Sequence, residues 1–154
     1  MDNSKSLVRA RSSIGDAAVD GLLNGAIAGL VMAIYLLVFG VAAGAGLAAT
    51  LSALDLGQGT SPVRGALIHL AVAAIYGMVF SLIYRLIERS RPIGRGGTMI
   101  MGVTYSLGLW LITQIAFASG IHVALSSLPA VHLAVAHALF GLTLGWLIGH
   151  TQVK

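Results

Sequence analysis

Charged side chains fall in a few short stretches of the chain, and long apolar runs separate them. Asp20 and Asp55 bracket thirty-four residues, Gly21 to Leu54, without a single charge. About 20 helical residues cross the roughly 30 Å hydrocarbon layer of a bilayer. This run therefore predicts one span near 22–46 and a glycine- and alanine-rich extension beyond it. A second run opens at Pro62, passes Arg64 and closes at Arg85, which predicts a span near 64–86. A third follows Gly96-Gly97 and ends near His122 (span 98–122), and a fourth starts at Pro129 and ends near Gly149 (span 129–149). Pro62 and Pro129 suit first helical turns, where the missing N–H costs nothing. Spans in lipid must be helical, because no solvent satisfies an exposed backbone. The expected fold is an all-α integral membrane four-helix bundle, with an amino-terminal segment at 1–20 and one transmembrane domain at 21–150.

Basic residues orient this bundle. Lys5, Arg9 and Arg11 precede the first run; Arg85, Arg89, Arg91 and Arg95 surround the connection between the second and third; Lys154 closes the chain. Only Arg64 falls on the other side, so the positive-inside rule predicts that both termini are cytoplasmic. The expected location is a multi-pass plasma (inner) membrane, N-in and C-in. A cleaved signal peptide is disfavoured, since the first apolar run is much longer than a 7–15-residue signal core.

Composition agrees with the pattern: 57% of the 154 residues are hydrophobic and 9% charged, where a soluble domain carries about a quarter charged residues. The chain has no cysteine, which excludes disulfides, iron–sulfur ligation and thiol catalysis. The net charge of +4 is spread over span-flanking segments, so no nucleic-acid-binding face is expected. The dense patch Arg89, Arg91 and Arg95 serves topology, or docks anionic lipid or an acidic partner.

Small residues four apart let helices approach closely in lipid. Gly21, Gly25 and Gly29 form such a stripe on the first span, and Gly141, Gly145 and Gly149 form one on the fourth. The two stripes are expected to pack face to face on antiparallel helices, or else to meet a neighbouring protein. Gly102 and Ser106 offer a weaker version on the third span.

The word His-Leu-Ala-Val-Ala occurs twice, at 69–73 and 132–136, each followed by an aromatic-glycine pair, Tyr76-Gly77 and Phe140-Gly141. It reads as the trace of a duplicated hairpin or as chance in an Ala/Leu/Val-rich chain. Counting from the expected span ends brings His69, Gln114 and His137 to one level. Three readings compete for this layer: hydrogen-bonded glue between helices; axial ligation of one b-type haem by His69 and His137; or a polar pocket for a quinone headgroup, a lipid or a proton path, with Tyr76, Trp110 and Phe117 alongside. No metal site is expected, because no carboxylate or cysteine joins the histidines. The acids Asp2, Asp16, Asp20, Asp55 and Glu88 all flank the spans or lie in loops, and no nucleophile–base arrangement is visible. An enzyme is not expected.

A histidine opening spans two and four, then an aromatic-glycine pair, then an inner basic loop: in this pattern the chain resembles small uncharacterised four-helix bacterial integral-membrane proteins. The likeness implies the fold over nearly the whole chain and transfers no site residue. The function expected is that of a non-catalytic accessory subunit, packed among membrane lipids and other integral membrane subunits of an electron-transfer (respiratory or photosynthetic) complex, with no cofactor. The alternative is a single-haem or quinone-binding membrane protein using His69 and His137, and a small transporter comes third.

Overall fold

The computed structural model describes residues 13–55, 61–120 and 128–151, and among these there are five helices and no strand. In chain order they are α1 (Ile14–Ala42), α2 (Leu47–Ala53), α3 (Pro62–Glu88), α4 (Arg95–Ala118) and α5 (Ala130–Thr151). All but α2 are long and apolar enough to cross a membrane.

α1 begins well before the expected residue 22. Ser13 starts it with a capping box: its hydroxyl accepts from the Asp16 N–H at 3.0 Å, and the Asp16 carboxylate accepts from the Ser13 N–H at 2.6 Å. This exchange satisfies two donors that a helix start leaves orphaned. Asp16 and Asp20 therefore ride on the opening turns of α1 rather than in a separate segment. Arg85, in the last turn of α3, donates to the Ser13 carbonyl at 2.5 Å and ties the two helix ends together.

The far end of α1 also departs from expectation. The chain turns at Gly44, whose φ of +86° suits a residue without Cβ, and the extension folds as the separate helix α2. Asp55, expected in a loop, is 1% exposed and pairs with the Arg64 guanidinium, Nε to Oδ2 3.3 Å. α2 lies so close on the start of α3 that a Cβ on Gly65 would strike the Leu51 carbonyl. Pro62 occupies the first turn of α3 as expected, and Pro129 sits immediately before α5, its carbonyl accepting from the His132 and Leu133 N–H groups at 3.0 and 3.3 Å. The expected end of the third span near His122 lies outside the described residues, and α4 stops at Ala118.

The helices pack as two antiparallel pairs, α1 with α3 and α4 with α5, joined through α1 and α5. The glycine stripes do not face each other. A Cβ on Gly21 would lie 2.7 Å from the Met78 Cα, and one on Gly25 would lie 2.5 Å from the Ala73 carbonyl oxygen and 2.8 Å from the Gly77 Cα. The α1 stripe thus meets Ala73, Gly77 and Ser81 of α3. On the other pair, a Cβ on Gly145 would lie 2.5 Å from the Thr98 carbonyl oxygen, and Gly141 abuts Gly102 and Ser106. Each stripe found a complementary small-residue stripe inside its own hairpin. What the two glycine helices share instead is the larger-residue core: Ala28, Met32 and Leu36 from α1 with Leu133, Ala136, Phe140 and Leu144 from α5.

Thr98 and Ser106, both 0% exposed, donate their hydroxyls within their own helix, to the Gly94 carbonyl at 3.3 Å and the Val103 carbonyl at 3.0 Å. Back-bonding of this kind lets a hydroxyl sit at a tight helix contact without an unmet donor.

Candidate functional site

The pair α3–α4 is the loosely joined side of the bundle, for these helices barely touch. Tyr105 of α4 supplies part of what contact there is. Its hydroxyl donates to the Tyr76 carbonyl at 3.0 Å, and its ring lies 5.2 Å from that of Phe80, tilted by 45°. From this bridge toward the α2 end the seam opens into a cavity of about 140 Å³.

Two helical rows make its facing walls. Ile68, Val72 and Tyr76 recur every four residues on α3, and Leu109, Thr113 and Phe117 do so on α4, so each row is one helix face. Met32 of α1, Leu54 at the end of α2, and His137 and Phe140 of α5 complete the lining with His69 and Ala73. Both histidines of the expected polar layer therefore line one cavity.

Of the two kinds of hydrogen bond expected of the layer, with one another or with a backbone carbonyl, both histidines make the second. His69 Nε2 donates to the Gly29 carbonyl of α1 at 3.0 Å. His137 Nδ1 donates to the Leu133 carbonyl one turn earlier in its own helix, at 2.8 Å. Thr113 likewise donates to the Leu109 carbonyl at 3.0 Å. Gln114 is outside the lining, and its Oε1 is buried with no hydrogen-bond partner among the described residues. The level inferred from span ends is too coarse here: Thr113 and Gln114 differ by about 100° around the helix axis, and it is Thr113 that faces the cavity. Trp110 is also absent from the wall; its indole N–H donates to the Ala130 carbonyl at 3.2 Å and ties α4 to the start of α5.

The two copies of His-Leu-Ala-Val-Ala both end up holding α1. Where His69 bonds the Gly29 carbonyl, His132 hydrogen-bonds the Tyr35 hydroxyl through Nδ1 at 2.9 Å and stacks on Phe39 with ring centroids 3.5 Å apart. The copies are not equivalent within their hairpins. Gly77 and Gly141, each turned to its own hairpin partner, are sixty-four positions apart, whereas His69 and His132 are sixty-three apart. One position is a rotation of about 100°, which turns His69 toward its hairpin partner and His132 toward the other hairpin. A duplication read from the repeated word does not superimpose the two packing faces.

At the opposite end, Arg89, Arg91 and Arg95 are exposed on and beside the short α3–α4 connection, and Tyr84 donates to the Glu88 carboxylate at 3.1 Å. No group of three or more metal-ligating side chains occurs among the described residues. Comparison of the chain with protein-family models, curated proteins and solved structures gave no match.

Proposed function

We propose that this chain is a small, non-catalytic membrane subunit that completes its bundle by packing against other integral membrane subunits, in an electron-transfer assembly of the inner membrane with both termini cytoplasmic. The observation that carries this reading is the seam between α3 and α4. Ile75, Tyr76 and Val79 on the α3 side of it and Ile112 on the α4 side are exposed, and α4 buries the smallest share of its residues of the four long helices. A further helix seated along the seam would bury those side chains by close packing, the main source of helix association in lipid. Arg89, Arg91 and Arg95 would then face anionic headgroups or an acidic partner surface.

Gentle detergent extraction and native electrophoresis test the reading, with a single cysteine at Ile112→Cys for cross-linking; the natural chain has none to compete. Migration within a larger complex and a cross-link to a second membrane polypeptide are expected. A chain that migrates alone, or only with copies of itself, refutes the accessory role. Cysteines placed next to either terminus and labelled in intact cells test the orientation: protection of both is expected, labelling of both reverses it, and labelling of one alone contradicts four crossings.

A second reading uses His69 and His137 as holders of a cofactor, and their shared cavity favours it. A space near 150 Å³ holds one benzene-sized ring. The 140 Å³ found here suits a ring of that size better than a haem macrocycle. A small transporter has no comparable support, since the wall carries no carboxylate.

A further inference from the structure

We propose that the cavity between α3 and α4 is a binding site for a hydroxyl-bearing aromatic ring, a quinol or phenol dissolved in the membrane, and that it prefers this donor form over the corresponding quinone.

Three features carry the inference. Size is the first: about 140 Å³ matches one six-membered ring. Access is the second. Above the Tyr105 bridge α3 and α4 leave the cavity between them, and Tyr76 on its wall is 41% exposed, so a ligand can enter sideways from the lipid without passing through water.

The third is the direction of the hydrogen bonds. A carbonyl oxygen only accepts, so the nitrogen facing it must carry the proton. His69 spends its proton on Gly29 through Nε2, and His137 spends its proton on Leu133 through Nδ1. In a neutral imidazole the other nitrogen is then a bare acceptor: Nδ1 of His69 and Nε2 of His137. Thr113 has likewise committed its hydroxyl hydrogen to Leu109 and retains only lone pairs. Three polar side chains of the wall are therefore acceptors, and the rest of the lining is apolar except the half-exposed Tyr76 phenol. Each O–H presented by the ring completes one of those acceptors. A quinone carbonyl set among these three meets only further acceptors, the Tyr76 hydroxyl being the one donor on the wall, and burying unpaired polar atoms is unfavourable.

The inference does not need the accessory role: the entrance is open in the lone chain, and a helix seated along the seam would cover it; electrophoresis decides the one and ligand selectivity on the isolated chain the other. The full-length protein in lipid nanodiscs is titrated with hydroquinone, p-benzoquinone and toluene, empty nanodiscs giving the partition blank, with saturation-transfer NMR and calorimetry as readouts. Hydroquinone is expected to bind saturably and about tenfold more tightly than either other ring, the scale of one net hydrogen bond. His69→Leu and His137→Leu should each reduce hydroquinone toward the level of toluene. Val72→Phe, which fills the cavity from its α3 wall, should abolish binding. Benzoquinone or toluene binding as tightly as hydroquinone, the absence of saturable binding, or binding unaffected by Val72→Phe overturns the proposal. The selectivity among three rings is read on the unmodified protein, so it stands even if a variant fails to fold.

Discussion

Replacing Gly25 by alanine tests the packing of the α1–α3 pair most directly. A single methyl is added where it would lie 2.5 Å from the Ala73 carbonyl oxygen and 2.8 Å from the Gly77 Cα. Carbon atoms in good contact stand about 3.5 Å apart, so the pair must separate by roughly 0.7 Å. Backbone occupies the other side, and no rotamer change can relieve the clash. A gap of that size forfeits about a quarter to a half of the dispersion energy of each affected contact, and overpacking of this kind costs about 1–3 kcal/mol. Alanine returns up to about 1 kcal/mol through its better helix propensity. With that return counted in full the expected net loss is about 0–2 kcal/mol, and the gap from an alanine that meets no clash stays at about 1–3 kcal/mol.

Gly108→Ala is the matched control, since nothing lies within 4 Å of a Cβ there; it should be neutral or stabilising by up to about 1 kcal/mol. Titration with SDS in mixed micelles, followed by circular dichroism, measures both. If Gly25→Ala unfolds no earlier than Gly108→Ala, α1 and α3 are not in backbone contact. The antiparallel pairing derived from the small-residue stripes would then be wrong.

Three further outcomes follow from individual contacts. Trp110→Phe removes the N–H donated to Ala130 and should cost about 0.5–1.5 kcal/mol of unfolding free energy, with an unchanged helix content; a null effect in the same titration would count against that contact. His69→Leu should leave assembly and extraction behaviour nearly intact, because the Gly29 carbonyl keeps its own helical donor and interhelical hydrogen bonds in membranes average about 0.6 kcal/mol; loss of the folded protein would show that the imidazole is structurally indispensable. Asp55→Ala removes the partner of Arg64 and should loosen α2 from α3, read as faster thiol labelling of a cysteine introduced at Ser52; labelling no faster than in the parent would mean that the ion pair does not hold α2.

Much of the architecture was legible in the sequence because helices long and apolar enough to cross a membrane follow simple rules of length and capping. Apolar runs located the four long helices, and Pro62 and Pro129 marked the starts of α3 and α5. Helix starts without a proline were harder: Ser13 and Asp16 extend α1 by a capping exchange that hydropathy does not register. The separate α2 was hidden because its residues are as apolar as a span, and only the positive φ at Gly44 divides it from α1. Which stripe meets which was also out of reach. Gly21, Gly25 and Gly29 announce a close contact, yet Ala73, Gly77 and Ser81 are a less conspicuous match than Gly141, Gly145 and Gly149. Position along the helices brought His69 and His137 to one cavity, but depth alone could not separate Gln114 from Thr113, which differ in azimuth. The donor direction of each imidazole needs a three-dimensional neighbour, and no spacing rule supplies it.

The pairing of α1 with α3 and of α4 with α5 makes the polypeptide severable. Each hairpin has its own tight interface, and they meet mainly where α5 rests on α1. The chain crossing between them, Arg89 to Gly94, gives Ile93 to the core and the Gly94 carbonyl to the start of α4, and a cut at Arg91-Pro92 leaves both with the second hairpin. Two separate polypeptides divided there and made in the same cell should find each other in the bilayer, and a gene encoding them could be split or fused at that point without altering the assembled product.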